Sequence, residues 1–400
     1  MTHIISSMQL AAASNRRSID FVNGQDVRTQ LDFTFSSKMQ NIFLTHANWR
    51  YLLEGTHGYI FQATKMKTGQ KLAVKVSKKK YKKTLLKEYL TSQGIKQNAH
   101  VIRSFDFFQS SKHAFYTLEL CYCDLRTILD NNRQGLGYRD TLKIMLGAAK
   151  GIAAMHESGV VHCDAKPENI LISYDNLVKI ADFSSAQNIN SEGFFTIQGG
   201  RKVQTSWYRA PEREFINFMH SIGYSFGIER LTEIFREVQA MGYFNPGEQQ
   251  GDYLCHKKID VWSLGCDFYE LVTGKVLFEA KEEECFEKLL SIWALLKEKG
   301  SILVDEPDEK KKSLDSIIKR CLDFNVNRRI SISKLKTDLT KRLKEKYRNN
   351  IKEIQNQDKL GSSVDQLIRL IQEATGIPLS SAIIRAILAY LPKASNRHNL

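Results

Sequence analysis

The alternation of apolar and polar positions changes character near Trp49. Residues 1–42 are rich in Ser and Asn with little periodicity, the pattern of a flexible N-terminal extension. From Trp49 to Cys121, short runs with turn signals between them predict an antiparallel sheet: Leu52–Phe61, Lys71–Val76, Val101–Gln109 and His113–Cys121. One interruption, Lys83–Leu90, carries Leu86 and Leu90 at i, i+4 and predicts a helix with its apolar stripe through those two residues.

Beyond Cys121 the period lengthens. Asp124–Leu129 reads as helix, and so does Tyr138–Ser158, where Leu142, Met145, Leu146, Ala149, Ile152 and Ala153 keep helical spacing up to a stop at Gly159. Ile170–Ile172 and Val178–Ile180 flank Tyr174-Asp175-Asn176 and predict a β-hairpin. In the long link 213–258, Leu231, Ile234, Phe235, Val238 and Met241 form an amphipathic helical stripe ended by Gly242 and Pro246. Near the end, Ser362/Ser363 and Ser380 read as N-caps of two short helices, one with Val364, Leu367, Ile368 and Ile371, the other with Ile383, Ile384, Ile387, Leu388 and Leu391.

Composition narrows the class. A chain of 400 residues, 42% hydrophobic, can bury a large core. No run approaches the roughly 20 apolar residues of a membrane span, and Met1–Ala13 lacks the leading basic residue of a signal peptide. Seven cysteines at irregular spacing give neither a disulfide framework nor a zinc pattern and suit a reducing compartment. The expected location is cytoplasmic, with the nucleus, or a host cell's cytoplasm for a secreted bacterial effector, as alternatives. The net charge of +14 is concentrated at Lys78–Lys83 and along Lys334–Lys352. Solvated helix faces account for both clusters; contact with nucleic acid or an anionic membrane is the other reading.

The chemistry concentrates in Val161-His162-Cys163-Asp164-Ala165-Lys166-Pro167-Glu168-Asn169-Ile170-Leu171. An Asp can orient a hydroxyl and accept its proton, a Lys two residues on can neutralise a γ-phosphate, and an Asn three further can hold a divalent cation. A polar surface turn is the plain alternative. The stretch resembles the catalytic loop of eukaryotic-type Ser/Thr protein kinases, and further motifs of that family follow in order. Leu53-Glu54-Gly55-Thr56-His57-Gly58 resembles the phosphate-covering loop, Ala73-Val74-Lys75 the phosphate-pairing strand, Asp182-Phe183-Ser184 the metal-binding motif, and Thr205–Glu212 the motif closing the activation segment.

The resemblance implies an α+β, bilobal protein-kinase fold: a small β-rich N-lobe, a larger helical C-lobe and an ATP cleft between. It covers about residues 49–345, so the expected organisation is an extension 1–42, a kinase domain 43–345 with an insert 213–258, and a helical tail 346–400. It implies Asp164 as the residue that takes the hydroxyl proton, Lys166 on the γ-phosphate, Asn169 and Asp182 on Mg²⁺ or Mn²⁺, and Lys75 on the α- and β-phosphates with Glu88 as its partner. Leu53, Gly55, Gly58, Ile60, Ala73, Glu119, Cys121 and Leu171 would contact ATP, with Leu118 behind the adenine. Thr205 would bridge Asp164 and Lys166, and with Lys166 it implies Ser/Thr rather than Tyr as target in a protein substrate. Glu212 would pair with Arg329, and Asp260 would hold the catalytic-loop backbone.

Three departures stand out: Leu53 replaces the first glycine of the phosphate-covering loop, Ser184 a glycine, and Cys163 the arginine that reads an activation-loop phosphate. The last implies activity that does not depend on phosphorylation of Thr196 or Ser191. A pseudokinase scaffold would cite all three, yet none removes an essential charge. Trp207 and Arg209 resemble the proline-directed group, whereas Asp124 and Glu168 would suit basic residues ahead of the target hydroxyl. The insert and the tail are the candidate partner-binding surfaces.

Overall fold

The computed structural model describes Ile42 and residues 45–110, 112–198, 205–214, 252–281, 284–303 and 305–356. Most of the N-terminal extension, the amphipathic stripe at 231–241 and the two capped helices near the end lie outside these residues.

Five strands form the N-lobe sheet: β1 (His46–Glu54), β2 (Gly58–Lys65), β3 (Lys71–Ser77), β4 (Ser104–Gln109) and β5 (Ala114–Glu119). Their spatial order is β1-β2-β3-β5-β4, and every neighbouring pair is antiparallel. The two-residue period of a strand assigns the two faces. Val74 and Val76 of β3 join Ile42, Trp49, Phe61, Ala63 and Phe115 in a small outer core. Their neighbours Ala73 and Lys75 therefore face the other way, and Ala73 packs against the main core instead.

Helix α1 (Lys82–Gly94) crosses that second face. Its buried residues are Leu85 and Glu88, while Leu90 is 59% exposed. The stripe expected through Leu86 and Leu90 is thus rotated. The face turned to the sheet carries Leu85 and, one turn on, a carboxylate, so an apolar i, i+4 count misses it.

The C-lobe begins with β6 (Cys123–Asp124) and α2 (Leu125–Asp130), followed by α3 (Tyr138–Glu157), β7 (Val160–Val161), β8 (Ile170–Ile172) and β9 (Val178–Ile180). β8 and β9 form the expected hairpin, with Asn176 in the left-handed region. The activation segment contributes β10 (Gln187–Asn188), paired with β7, and β11 (Phe194–Gln198). β11 pairs with β12 (Asp252–His256), the returning end of the insert.

Helix α4 (Ile259–Thr273) is buried along nearly its whole length. Around it lie α5 (Cys285–Lys299), α6 (Glu309–Lys312), α7 (Asp315–Cys321) and α8 (Ile332–Asn356). Trp262 of α4 stacks on Phe278 and meets Phe324 edge-on, which ties the helix to two loops. The boundary expected at 345/346 falls inside α8, which continues unbroken to Asn356. Among the described residues no helix is long and apolar enough to cross a membrane.

Candidate active site

Strand alternation aims Lys75 into the space between sheet and C-lobe. Its Nζ lies 2.9 and 2.8 Å from the two Glu88 carboxylate oxygens and 3.1 Å from Asp182 Oδ1. One ammonium thus serves two carboxylates. Burial pulls the Lys75 pKa down, but Asp182 and Glu88 outweigh it and leave the value raised, so the lysine stays charged. For Asp182, burial pushes upward, and the Lys75 charge with hydrogen bonds from Ser184 holds the carboxyl well below its usual range. Glu88 is the carboxylate left short of compensation: burial drives it up to about 7 against the pull of Lys75. The charge of Glu88 is costly at this depth, and that of Asp182 is not.

The catalytic loop gathers the second set. Asp164 Oδ1 accepts from Thr205 N at 2.9 Å and Thr205 Oγ1 at 3.0 Å, while Asp164 Oδ2 lies 3.0 Å from Lys166 Nζ. Lys166 Nζ also donates to Thr205 Oγ1 at 2.7 Å, closing the expected bridge. Asn169 Nδ2 donates to Asp164 O at 2.8 Å. That bond turns the amide so that its oxygen is the atom left to face a cation.

Below the loop, the fully buried Asp260 accepts from the His162 and Cys163 backbone amides at 2.8 and 2.9 Å, and contacts His156 Nε2 at 2.8 Å. These bonds hold Cys163 at φ 65°, a left-handed conformation uncommon for a non-glycine residue, and Asp182 shares it at φ 62°. His162, which sequence reasoning left without a role, connects the two motifs. Its Nε2 donates to Ala181 O at 2.9 Å, and its Nδ1 accepts the Asp164 amide at 3.2 Å. A histidine two residues before an Asp was the signal available for it.

On the nucleotide side, Leu118 is buried and Glu119 and Cys121 are half-buried where β5 ends. Glu119 pairs with Lys179 at 3.0 Å, so its carboxylate is fixed to the C-lobe. Burial, then Glu119, pushes the Cys121 thiol up to about 12. Leu171 on β8 is half-buried and Leu53 exposed; Ile60 sits opposite Leu53 in the β1–β2 ladder. The two loop glycines have different reasons to exist. A Cβ on Gly55 would meet nothing closer than 3.8 Å, leaving its backbone open to an approaching phosphate, whereas one on Gly58 would lie 2.1 Å from Val76 O. Gly58 is required by the packing of β2 on β3.

The donor set suits magnesium, which takes one or two carboxylates plus phosphate oxygens and water rather than an all-protein cage. Asp182, ionised and with its side chain 36% exposed, and the Asn169 amide oxygen are the groups that would hold it. No cluster of three or more His, Cys, Asp or Glu suited to a metal occurs among the described residues.

The acidic residues proposed to read substrate have other partners. Asp124 caps α2 through Thr127 N at 2.7 Å. Glu168 binds Arg126 Nε at 3.0 Å, and Arg126 continues to Glu270 and Tyr208. Glu212 and Arg329 form the expected pair, bidentate at 2.7 and 2.8 Å.

The model of the protein kinase domain matches residues 49–221 and 223–339, spanning both lobes. Among similar proteins are cyclin-dependent kinase 20 of Danio rerio, 28% identical over 58% of this chain and 58% of its own length, and cyclin-dependent kinase D-1 of Oryza sativa subsp. japonica, 34% identical over 58% and 46%. A protein of Encephalitozoon cuniculi named "Probable cell division protein kinase" is 27% identical over 72% of this chain and 95% of its own. The chain thus spans about half the length of the first two. With the family match running through every motif of the cleft, the chain belongs to the protein kinase domain family.

Proposed function

We propose that the protein transfers the γ-phosphoryl group of ATP to Ser or Thr hydroxyls of a protein substrate. The observation that carries this is the closed set of contacts among Asp164, Lys166, Thr205 and Asn169, facing Lys75 and Asp182 across one cleft. Asp164 orients the hydroxyl and accepts its proton, and Lys166, 3.0 Å away, steadies charge that builds on the transferring group. Lys75 holds the α- and β-phosphates. Asn169 and Asp182 would hold a divalent cation, Mg²⁺ or Mn²⁺, which would supply charge neutralisation at the phosphates. Catalysis of this kind is positioning and electrostatics, with no covalent intermediate.

Loop phosphorylation is not required in this reading, because Cys163 carries no charge to receive a phosphate. The engagement of Asp124 as a cap and of Glu168 by Arg126 favours the other substrate hint, a proline following the target hydroxyl, read beside Trp207 and Arg209. A partner of the kind named in "cyclin-dependent" would act as an added layer, since the Lys75–Glu88 pair is already closed within this chain. Seven cysteines without a disulfide among them support a reducing compartment, cytoplasm or nucleus.

The test is transfer of labelled phosphate from ATP with Mg²⁺ or Mn²⁺ onto the protein and onto a basic protein substrate, for wild type beside Asp164→Ala. Label that disappears in the variant, and survives prior phosphatase treatment of the wild type, is the expected result. No label in either, with ATP still raising the melting temperature, would make the protein a pseudokinase scaffold.

A further inference from the structure

The activation segment runs from Asp182 to Glu212 and is held at both ends, by Lys75 on Asp182 and by Arg329 on Glu212. Near its start β10 pairs with β7. Between β10 and Thr205, the described contacts that hold it centre on the β11–β12 ribbon. In that ribbon Phe194, Phe195, Thr196, Ile197 and Gln198 lie opposite His256, Cys255, Leu254, Tyr253 and Asp252 in unbroken antiparallel register. Backbone bonds close the end nearest α4: Lys257 N to Gly193 O at 2.8 Å and Asn190 N to Phe194 O at 2.8 Å.

The ribbon has an inner and an outer side. Phe195 and Cys255, directly opposed, are 4% and 1% exposed and belong to the same core cluster as the fully buried Cys163. Thr196, the neighbour of Phe195, is exposed. The position that would carry a phosphate-reading arginine is therefore occupied by a buried thiol, with Cys255 of the ribbon and the fully buried Arg213 close enough to act on it. Two residues after β12 the chain enters α4, whose Asp260 holds the catalytic-loop backbone. One continuous piece of chain thus reaches both the activation segment and the loop bearing Asp164.

We propose that β12 is a built-in positioning strand: by pairing with β11 and sealing Phe195 and Cys255 against Cys163, it holds the activation segment, and through it Thr205, in the substrate-competent arrangement that a loop phosphate would otherwise impose. The inference rests on the protein-kinase reading and deepens it by naming what replaces the phosphate. Phe195 and Cys255 are positioning residues and touch neither ATP nor the hydroxyl. Burial of apolar side chains and a strand ladder need no modifying enzyme, so the arrangement is present as soon as the chain folds.

The experiment uses the full chain and compares wild type, Phe195→Asp, Phe195→Leu and Thr196→Ala, each after phosphatase treatment. A carboxylate at the inward position expels residue 195 from the core and opens the ribbon. Phe195→Asp should lose about 10²-fold in kcat/KM for the protein substrate, with KM for ATP within about twofold of wild type, because the Lys75 and hinge contacts do not pass through β11. Phe195→Leu, which keeps the apolar contact, and Thr196→Ala should both retain wild-type values. Hydrogen exchange on the wild type gives a second reading that needs no variant to fold: amides within 194–198 should be protected comparably to Val160 and Val161. Wild-type kcat/KM in Phe195→Asp, or exchange of 194–198 at the rate of an unfolded peptide, overturns the inference while the kinase reading stands. An inactive wild type would instead overturn the kinase reading.

Discussion

Two buried ionic groupings can be set side by side: Lys75 with Glu88 and Asp182 in the cleft, and Glu212 with Arg329 beneath it. The second is balanced. One carboxylate meets one guanidinium through two short bonds, Arg329 also donates to Lys258 O and Asp323 O and lies over the Trp262 ring, and the pair is 11% and 0% exposed. The first is unbalanced, with one cation between two carboxylates and an opening at Asp182. A balanced grouping has no use for a ligand; an unbalanced one can accept a metal and phosphates and is completed by them. Both obey the rule that buried charge must be paired, and the difference between them separates scaffold from site.

The largest effect should come from breaking the balanced pair. Arg329→Ala leaves Glu212 without its partner and should lower unfolding stability by about 3–5 kcal/mol in urea titrations, while molecules still folded at low temperature keep their KM for ATP. The opposite split is expected in the cleft. Lys75→Met should reduce kcat by about 10²–10³-fold, as loss of a preorganised electrostatic contact does, with a smaller shift in the urea midpoint than Arg329→Ala produces. If the two variants change stability equally, the distinction drawn above fails.

The smallest effect concerns pH. Glu88 is raised from 4.5 to about 7 by burial. The acid is protonated in both states below 4.5; above that the unfolded chain ionises first, and the folded state must ionise a buried group near 7. The stability Glu88 contributes is therefore complete below about 4.5 and declines as pH rises through 7. Glu88→Gln, a neutral isostere, should flatten the dependence of melting temperature on pH across that window. A slope unchanged from wild type would assign the titration elsewhere.

Much of this was legible in the sequence, because the contacts join residue types that kinase motifs place at recognisable spacing: Lys75 to Glu88, Asp164 to Thr205, Asp260 to the catalytic loop, Glu212 to Arg329. The misreadings have one source. Helix α1 presents a carboxylate on its inner face, so an apolar period pointed to Leu90 when the buried positions are Leu85 and Glu88. Gly58 has a packing role that sequence does not reveal, since Val76 O lies where its Cβ would stand. Asp124 and Glu168 looked available because their partners, Thr127 and Arg126, are engaged only in three dimensions. The β11–β12 pairing left no local signal, since strand partners separated by a long insert are set by tertiary contact rather than by pattern.

The cysteines have a practical consequence. None of the seven is in a disulfide; six are buried and the seventh, Cys121, is half-buried with its ionisation pushed up to about 12. A thiolate is the species that reacts, so a maleimide or disulfide reagent at neutral pH should find the folded molecule nearly inert. The chain thereby carries a set of native chemical timers running from the hinge through the C-lobe. The order in which Cys121, Cys163, Cys255 and Cys321 take up label during gentle warming would report, residue by residue and without an introduced probe, which part of the molecule opens first.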